Sequence, residues 1–176
     1  MSESDLLADK IEQAIGKMFA YAGDFDSGIR DYALLFNSKK SNHWIIVFFF
    51  DDKVHLKKSL AGGELYSLHR FLQNELTLID KHLPISIRFD IGKMPSNNME
   101  FDQLLEKHIM EYDPLKNEKG QQQICSTCGH DWYKHKIMGH KSETASFPAE
   151  GWMTCPEEDC FCFLTWDWEY TNNEEK

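Results

Sequence analysis

The residues best suited to chemistry are five cysteines, all in the last 52 of the chain's 176 residues. Two residues separate Cys125 from Cys128, so one tight turn can present both sulfurs to one ion. Gly129 can supply the positive φ that such a turn needs. A second cluster begins at Cys155. In a chain without a visible secretory signal, clustered cysteines are typical of metal ligands rather than of disulfides.

Three histidines add to these sulfurs and give eight candidate ligands. We predict one structural Zn²⁺, because zinc takes sulfur and nitrogen ligands in tetrahedral sites. The predicted ligands are Cys125, Cys128, Cys155, Cys160, Cys162 and His135. The preferred set of four is Cys125, Cys128, Cys155 and Cys160. Alternative sets replace one or two of these with His135 and Cys162, and a cluster of two metal ions is a further alternative. His140 lies in a Gly/Lys/Ser-rich stretch, which indicates a surface position.

The two cysteine pairs resemble the zinc-ribbon and treble-clef class of small zinc-binding modules. The resemblance is carried by Cys125 and Cys128 with Gly129, and by Cys155 and Cys160. The second pair has four intervening residues where the usual pattern has two. The resemblance implies a small zinc-ribbon-like β module in which the metal is structural.

Two catalytic interpretations of this cluster are disfavoured, and we predict no catalytic residue. A zinc-dependent hydrolase or nuclease would use His130 or His135, but a thiolate-rich site makes zinc a poor Lewis acid. A redox dithiol should open a helix after a strand, whereas a polar segment precedes Cys125.

The elements that must position these residues form an α+β protein. Residues 1–112 predict a domain of order α-β-β-α-β-α with a small antiparallel or mixed sheet. A first helix is expected over residues 4–22, with Ser4 as its N-cap. The continuous apolar run Trp44 to Phe50 predicts a central strand covered on both faces. Leucines at spacings of three and four predict a long helix from about Gly63, and residues 85–91 alternate as a half-buried strand.

Polar and aromatic segments define the rest of the domain organisation. Residues 113–123 are predicted to be a linker, residues 124–170 the zinc-binding module and residues 171–176 a flexible tail. A strand near the end of the module carries Leu164, Trp166, Trp168 and Tyr170 on one face. That face can pack around the metal or can bind a partner protein.

The net charge of the chain indicates which class of partner molecule it can bind. The chain carries a net charge of −10, and the parts before and after Pro114 are both acidic. Nucleic acid is therefore disfavoured as a partner, although Lys134, Lys136 and Lys141 form one basic cluster. No apolar run approaches the roughly 20 residues of a membrane span, so we expect a cytoplasmic, intracellular protein with no membrane association. The predicted function is that of a non-enzymatic adaptor, regulatory protein or complex subunit that binds another protein or a larger assembly.

Overall fold

The computed structural model describes residues 2–23, 27–39, 42–109, 124–139 and 150–167. The chain divides into an N-terminal unit, Met1–His108, and a C-terminal unit, Ile109–Lys176. The class is α+β, as predicted, with helices and a mixed sheet in the first unit and an antiparallel sheet in the second. The predicted linker and tail lie outside the described residues. No helix among the described residues is long and apolar enough to cross a membrane.

The N-terminal unit contains four helices and three strands. In chain order they are α1 (Glu3–Ala22), β1 (Asp31–Asn37), β2 (His43–Phe50), α2 (Lys53–Ala61), α3 (Glu64–Ile79), β3 (Ile85–Ile91) and α4 (Asn98–Ile109). The strand order in the sheet is β1-β2-β3, with β1 antiparallel and β3 parallel to the central strand. The continuous apolar run of β2 is buried along almost its whole length, as a central strand requires.

The N-cap of the first helix lies two residues earlier than predicted. Ser2, rather than Ser4, caps α1: its hydroxyl accepts a hydrogen bond from the Asp5 backbone N–H at 3.1 Å. The Asp5 carboxylate accepts the Ser2 backbone N–H in return, also at 3.1 Å. This reciprocal pair is a capping box, which satisfies two N–H groups where Ser4 alone would satisfy one.

One helix, α2, was not predicted from the sequence. The Asp52 carboxylate accepts the His55 backbone N–H at 2.7 Å and so starts α2 directly after β2. Gly62 ends this helix, and Gly63, with a φ of 85°, redirects the chain into α3. The element order is therefore α-β-β-α-α-β-α. Helix α3 packs against α1, and its leucines Leu65, Leu68, Leu72 and Leu76 are buried.

The described residues of the C-terminal unit form one short 3₁₀ helix and a three-stranded sheet. The 3₁₀ helix is Trp132–Lys134, and the strands are β4 (Lys136–Gly139), β5 (Glu150–Thr154) and β6 (Phe163–Asp167). All neighbouring strands are antiparallel, in the order β4-β5-β6. The side chain of Trp166 and all of Trp168 and Tyr170 lie outside what the structure describes, so the predicted aromatic face is not described there.

Candidate metal centre

Cysteine and histidine side chains in the C-terminal unit form two groups that could hold a metal ion such as zinc. Within each group, the ligand atoms all lie within 4.8 Å of one another. We call them site A and site B. Site A consists of Cys125, Cys128, His135 and Cys162. Site B consists of Cys128, His130, Cys155 and Cys160. Each site therefore offers three sulfurs and one imidazole nitrogen, with Cys128 common to both.

A tight turn positions the first two sulfurs. The Gly129 backbone N–H donates to the Cys125 carbonyl at 2.8 Å, and the Cys125 N–H donates to the His130 carbonyl at 2.8 Å. Gly129 has a φ of 74°, which a side chain would oppose, so glycine suits this position. Ile124 and Asp131 form an isolated antiparallel bridge that closes the turn. This local geometry holds Cys125, Cys128 and His130 close together.

The 3₁₀ helix positions His135 and selects its tautomer. Nδ1 of His135 lies 2.9 Å from the Asp131 carbonyl oxygen, so it carries the proton and donates it there. Nε2 is then left with a lone pair, and it lies 3.4 Å from Cys128 Sγ. Metal-bound histidines typically donate such a hydrogen bond from the ring nitrogen that does not bind the metal. The bond fixes the ring and raises the basicity of the ligating nitrogen. His135 is buried, and the Trp132 ring packs against it.

The β5–β6 hairpin supplies the distant ligands. Its register pairs Thr154 with Phe163. Cys155 directly follows β5 and Cys162 directly precedes β6, so both sulfurs lie at the same end of the hairpin. Cys160 lies in the connection, where its N–H donates to the Glu157 carbonyl at 3.1 Å. The three cysteines are buried.

The observed separations match a tetrahedral zinc site. Zn–S bonds of about 2.3 Å and Zn–N bonds of about 2.0–2.1 Å give S···S edges of about 3.8 Å and S···N edges of about 3.6 Å. In site A, Cys125 Sγ lies 3.9 Å from Cys162 Sγ. In site B, Cys155 Sγ lies 3.4 Å from His130 Nδ1. Each of these two pairs therefore lies within a few tenths of an ångström of the corresponding edge of a tetrahedral zinc site.

Hydrogen bonds and burial shift the pKa values of the thiols in different directions. The Cys162 thiol donates to the Cys125 sulfur and lowers the pKa of Cys125 to about 4, helped by the backbone N–H groups of Cys128 and Thr127 and opposed by burial. Burial raises the pKa of Cys128, and the charge of Cys160 adds to the effect. Burial also raises the pKa of Cys155 to about 11.

The pKa of Cys162 is raised as well, first because its thiol donates to Cys125 and second because it is buried. Without a cation, most of these buried thiols therefore keep their protons. A bound divalent cation reverses that preference, because it is the largest charge in the site and stabilises every thiolate around it.

All six predicted ligands lie in these two groups, but the structure arranges them differently from the preferred set. Cys125 is grouped with Cys162 and His135, and Cys155 and Cys160 are grouped with His130. Cys128 alone joins the two halves of the preferred set. His130 was not among the predicted ligands, although it directly follows the Cys-x-x-Cys-Gly turn that holds it in place. His140 lies outside the described residues.

No family model matches this sequence, and neither the curated proteins nor the solved structures contain a match to it. The structure shows a Cys/His cluster in a small antiparallel β module, and this cluster is compatible with zinc binding.

Proposed function

We propose that this protein is a non-enzymatic zinc protein that acts by protein–protein interaction, as an adaptor, a regulator or a subunit of a larger assembly. In this proposal zinc is structural. The observation that carries it is the composition of the two sites, each with four protein ligand atoms of which three are sulfur.

A four-ligand set of this kind suits a structural ion better than a catalytic one. Catalytic zinc sites keep one position open for water or substrate, whereas structural sites use four protein ligands. His130 and His135 are the histidines that a hydrolase would use, and each of them already belongs to a four-ligand group. Three thiolates also transfer enough charge to zinc to weaken its polarisation of a bound water.

In this proposal, zinc binding provides most of the stability of the C-terminal unit. Its buried cluster consists of Cys125, Cys155, Cys160 and Cys162, with Cys128, Trp132 and Leu164 packed against it. A unit this small rarely gains much stability from its apolar core alone, so a structural metal is a common addition. Its cysteine-bearing turn and antiparallel strands agree with the zinc-ribbon or treble-clef type of module, in which metal-binding free energy is folding free energy.

A protein partner would find apolar side chains on the surface of this module. Tyr133 is 69% exposed and Ile137 is 43% exposed. They flank the buried ligand His135, so the same metal-dependent fold holds them in place. Exposed tyrosine is among the residues enriched at protein interfaces, because it contributes a large contact area and a hydroxyl group.

Two measurements on the full-length protein test the proposal. Zinc-edge X-ray absorption is expected to find only sulfur and nitrogen neighbours, and an oxygen ligand would favour an enzyme instead. Affinity purification should then compare the wild-type protein with Tyr133→Ala and Ile137→Ala. The matched control is Leu78→Ala, at a residue 79% exposed in the N-terminal unit. Partners lost by the first two variants and kept by the control would support interaction through the module. Partners retained by every variant would place the interaction elsewhere.

A nucleic-acid-binding zinc ribbon is the second candidate function. It is favoured by Lys134 and Lys136, which are exposed on either side of His135 and next to exposed Tyr133. Aromatic rings stack on bases and lysines contact phosphates. Titration with labelled single-stranded RNA at several salt concentrations tests it. Affinity that falls steeply with salt and weakens in the Lys134→Glu variant would favour this candidate over a protein partner.

A further inference from the structure

Cys128 is the one residue that belongs to both ligand groups of the described module. We propose that the module binds two Zn²⁺ ions, one in site A and one in site B, and that the Cys128 thiolate bridges them. This inference rests on the proposed structural role of zinc and deepens it, since it gives the number of ions and the bond that joins them. The single zinc predicted from the sequence is the competing hypothesis.

The number of ligands favours two ions. One tetrahedral ion uses four ligands, whereas sites A and B together contain five cysteines and two histidines. An ion in site A alone leaves Cys155 and Cys160 as buried thiols beside His130. An ion in site B alone leaves Cys125 and Cys162 buried without a metal. Two ions that share Cys128 use all seven residues, with three sulfurs and one nitrogen around each.

The charge balance also permits the second ion. With zinc in site A, three thiolates and one divalent cation give the centre a net charge of −1. An ion in site B adds two further thiolates, Cys155 and Cys160, so two negative charges accompany the two positive charges of the ion. The net charge of the centre with both ions is again −1, and no further net charge is buried.

Cys128 is placed to serve both ions. Its sulfur lies 3.4 Å from His135 Nε2 of site A. The same sulfur lies within 4.8 Å of the ligand atoms of His130, Cys155 and Cys160 in site B. A thiolate has lone pairs for two metals, and Zn–S bonds of about 2.3 Å at a roughly tetrahedral sulfur place the ions about 3.8 Å apart. That separation is close to the roughly 3.5–4 Å found in two-metal protein sites.

Backbone N–H groups share the negative charge of the sulfurs in both sites. Cys125 accepts hydrogen bonds from the N–H groups of Thr127 and Cys128. Cys128 accepts one from the His130 N–H, and Cys155 accepts one from the Glu157 N–H. Charge-assisted hydrogen bonds of this kind stabilise thiolates without adding a competing cation. Each site therefore contains at least one sulfur whose negative charge is stabilised by a backbone N–H group.

The first experiment counts ions in the full-length protein purified with zinc and measured by native mass spectrometry. Two zinc ions per chain are expected. One zinc ion would overturn the binuclear proposal and leave the structural role of zinc intact. A zinc-free protein whose β4–β6 amide hydrogens remain protected from exchange would overturn both.

The second experiment tests the bridge directly in the wild-type protein, so it does not depend on a variant that folds. The chain is loaded with ¹¹³Cd²⁺, and the cysteine β protons are correlated with the cadmium signals by NMR. The Cys128 β protons are expected to couple to two ¹¹³Cd nuclei, and those of the other cysteines to one each. Two cadmium signals with Cys128 coupled to only one of them would overturn the bridge.

Matched variants give the third readout. Cys162→Ser is expected to keep one zinc in site B, and Cys160→Ser one zinc in site A. Cys128→Ser removes a ligand from both sites, so both zinc affinities should fall by at least 100-fold. A Cys128→Ser protein that retains one zinc at wild-type affinity would overturn the proposal.

Discussion

The two units of this protein are stabilised by different interactions. The N-terminal unit buries a continuous apolar interior between its helices and its sheet, which includes Ile11, Ile46, Phe48, Leu65 and Leu72. The buried cluster of the C-terminal unit consists of four cysteines with a few apolar neighbours. We therefore expect the first unit to fold from hydrophobic burial alone and the second to require ions that join its segments.

Metal removal is expected to separate the two units most clearly. An excess of a zinc chelator should unfold residues 124–167, because structural zinc contributes on the order of 10 kcal/mol to the folding of small modules. Residues 2–108 should keep their protection from hydrogen exchange. Hydrogen exchange read by mass spectrometry reports both units in one sample. Continued protection of β4–β6 after complete metal removal would contradict this prediction.

The second prediction concerns the N-terminal unit, in which a substitution leaves a cavity in the apolar core. Phe48 is buried at the centre of β2, with the rings of Phe19 and Phe89 at centroid distances of 6.2 and 6.0 Å. Phe48→Ala should destabilise the N-terminal unit by about 3–5 kcal/mol. Chemical denaturation followed by exchange measures this loss, and zinc content should stay unchanged. Leu78→Ala, at an exposed position, is the control and should change stability by less than about 0.5 kcal/mol.

Acid should lower the stability of the N-terminal unit, because one buried histidine takes up a proton more readily in the unfolded chain. Burial, and then the charge of Arg88, lowers the pKa of His69 to about 4. Between about pH 6.5 and pH 4 the unfolded chain binds a proton that the folded unit does not, so stability falls as the pH drops through this range. Above pH 6.5 the group is neutral in both states and has no effect.

The full loss from His69 is on the order of 3 kcal/mol by pH 4. Unfolding free energies of the N-terminal unit at pH 7, 6, 5 and 4 measure it. His69→Leu should remove most of this slope, whatever its stability at pH 7. An unchanged slope in that variant would assign the acid sensitivity to other groups.

The smallest effect is expected at α4, the helix of the N-terminal unit without buried residues among those described. Burial raises the pKa of Asp90, but hydrogen bonds from His108 at 3.1 Å and Lys107 at 2.7 Å outweigh it and hold the pKa below its usual value. These bonds attach the end of α4 to β3. Their stabilisation is present above the unfolded pKa of about 3.9 and is lost as the pH falls through the lowered folded value.

Asp90→Asn should weaken this attachment by about 1–3 kcal/mol, because hydrogen bonds to a charged group are lost. Faster amide exchange in residues 98–109 is the expected result. Asp102→Asn, at an exposed position of the same helix, is the matched control and should leave exchange unchanged. Equal exchange in both variants would show that other contacts hold α4.

The sequence predicted those features that depend on local periodicity. The apolar run of β2, the leucine repeat of α3 and the alternation of β3 all appear in the structure, because burial imposes periods of 3.6 and 2 residues on the chain. Helix α2 was missed because it is short and its start depends on one side chain, Asp52. The C-terminal β module was expected from the resemblance of its cysteine pairs to zinc-ribbon modules.

The division of the ligands into two groups could not be predicted in this way. It depends on contacts between distant parts of the chain, Cys125 with Cys162 and His130 with Cys155, at the end of the hairpin where Thr154 pairs with Phe163. Register is set by long-range packing and not by the spacing between cysteines. The role of His130 depends on the same long-range contact, because its neighbour Cys155 lies 25 residues further along the chain.

The order of the ligands along the chain has a consequence for biosynthesis. Cys125, Cys128, His130 and His135 are translated within one short segment, yet they complete neither site. Site A must wait for Cys162, the last ligand to be made. At about 5–20 residues per second this delay lasts a few seconds, during which the N-terminal unit is already available to fold. On the proposed structural role of zinc, a cell short of zinc is expected to accumulate chains with a folded N-terminal unit and an unfolded, thiol-bearing C-terminal unit.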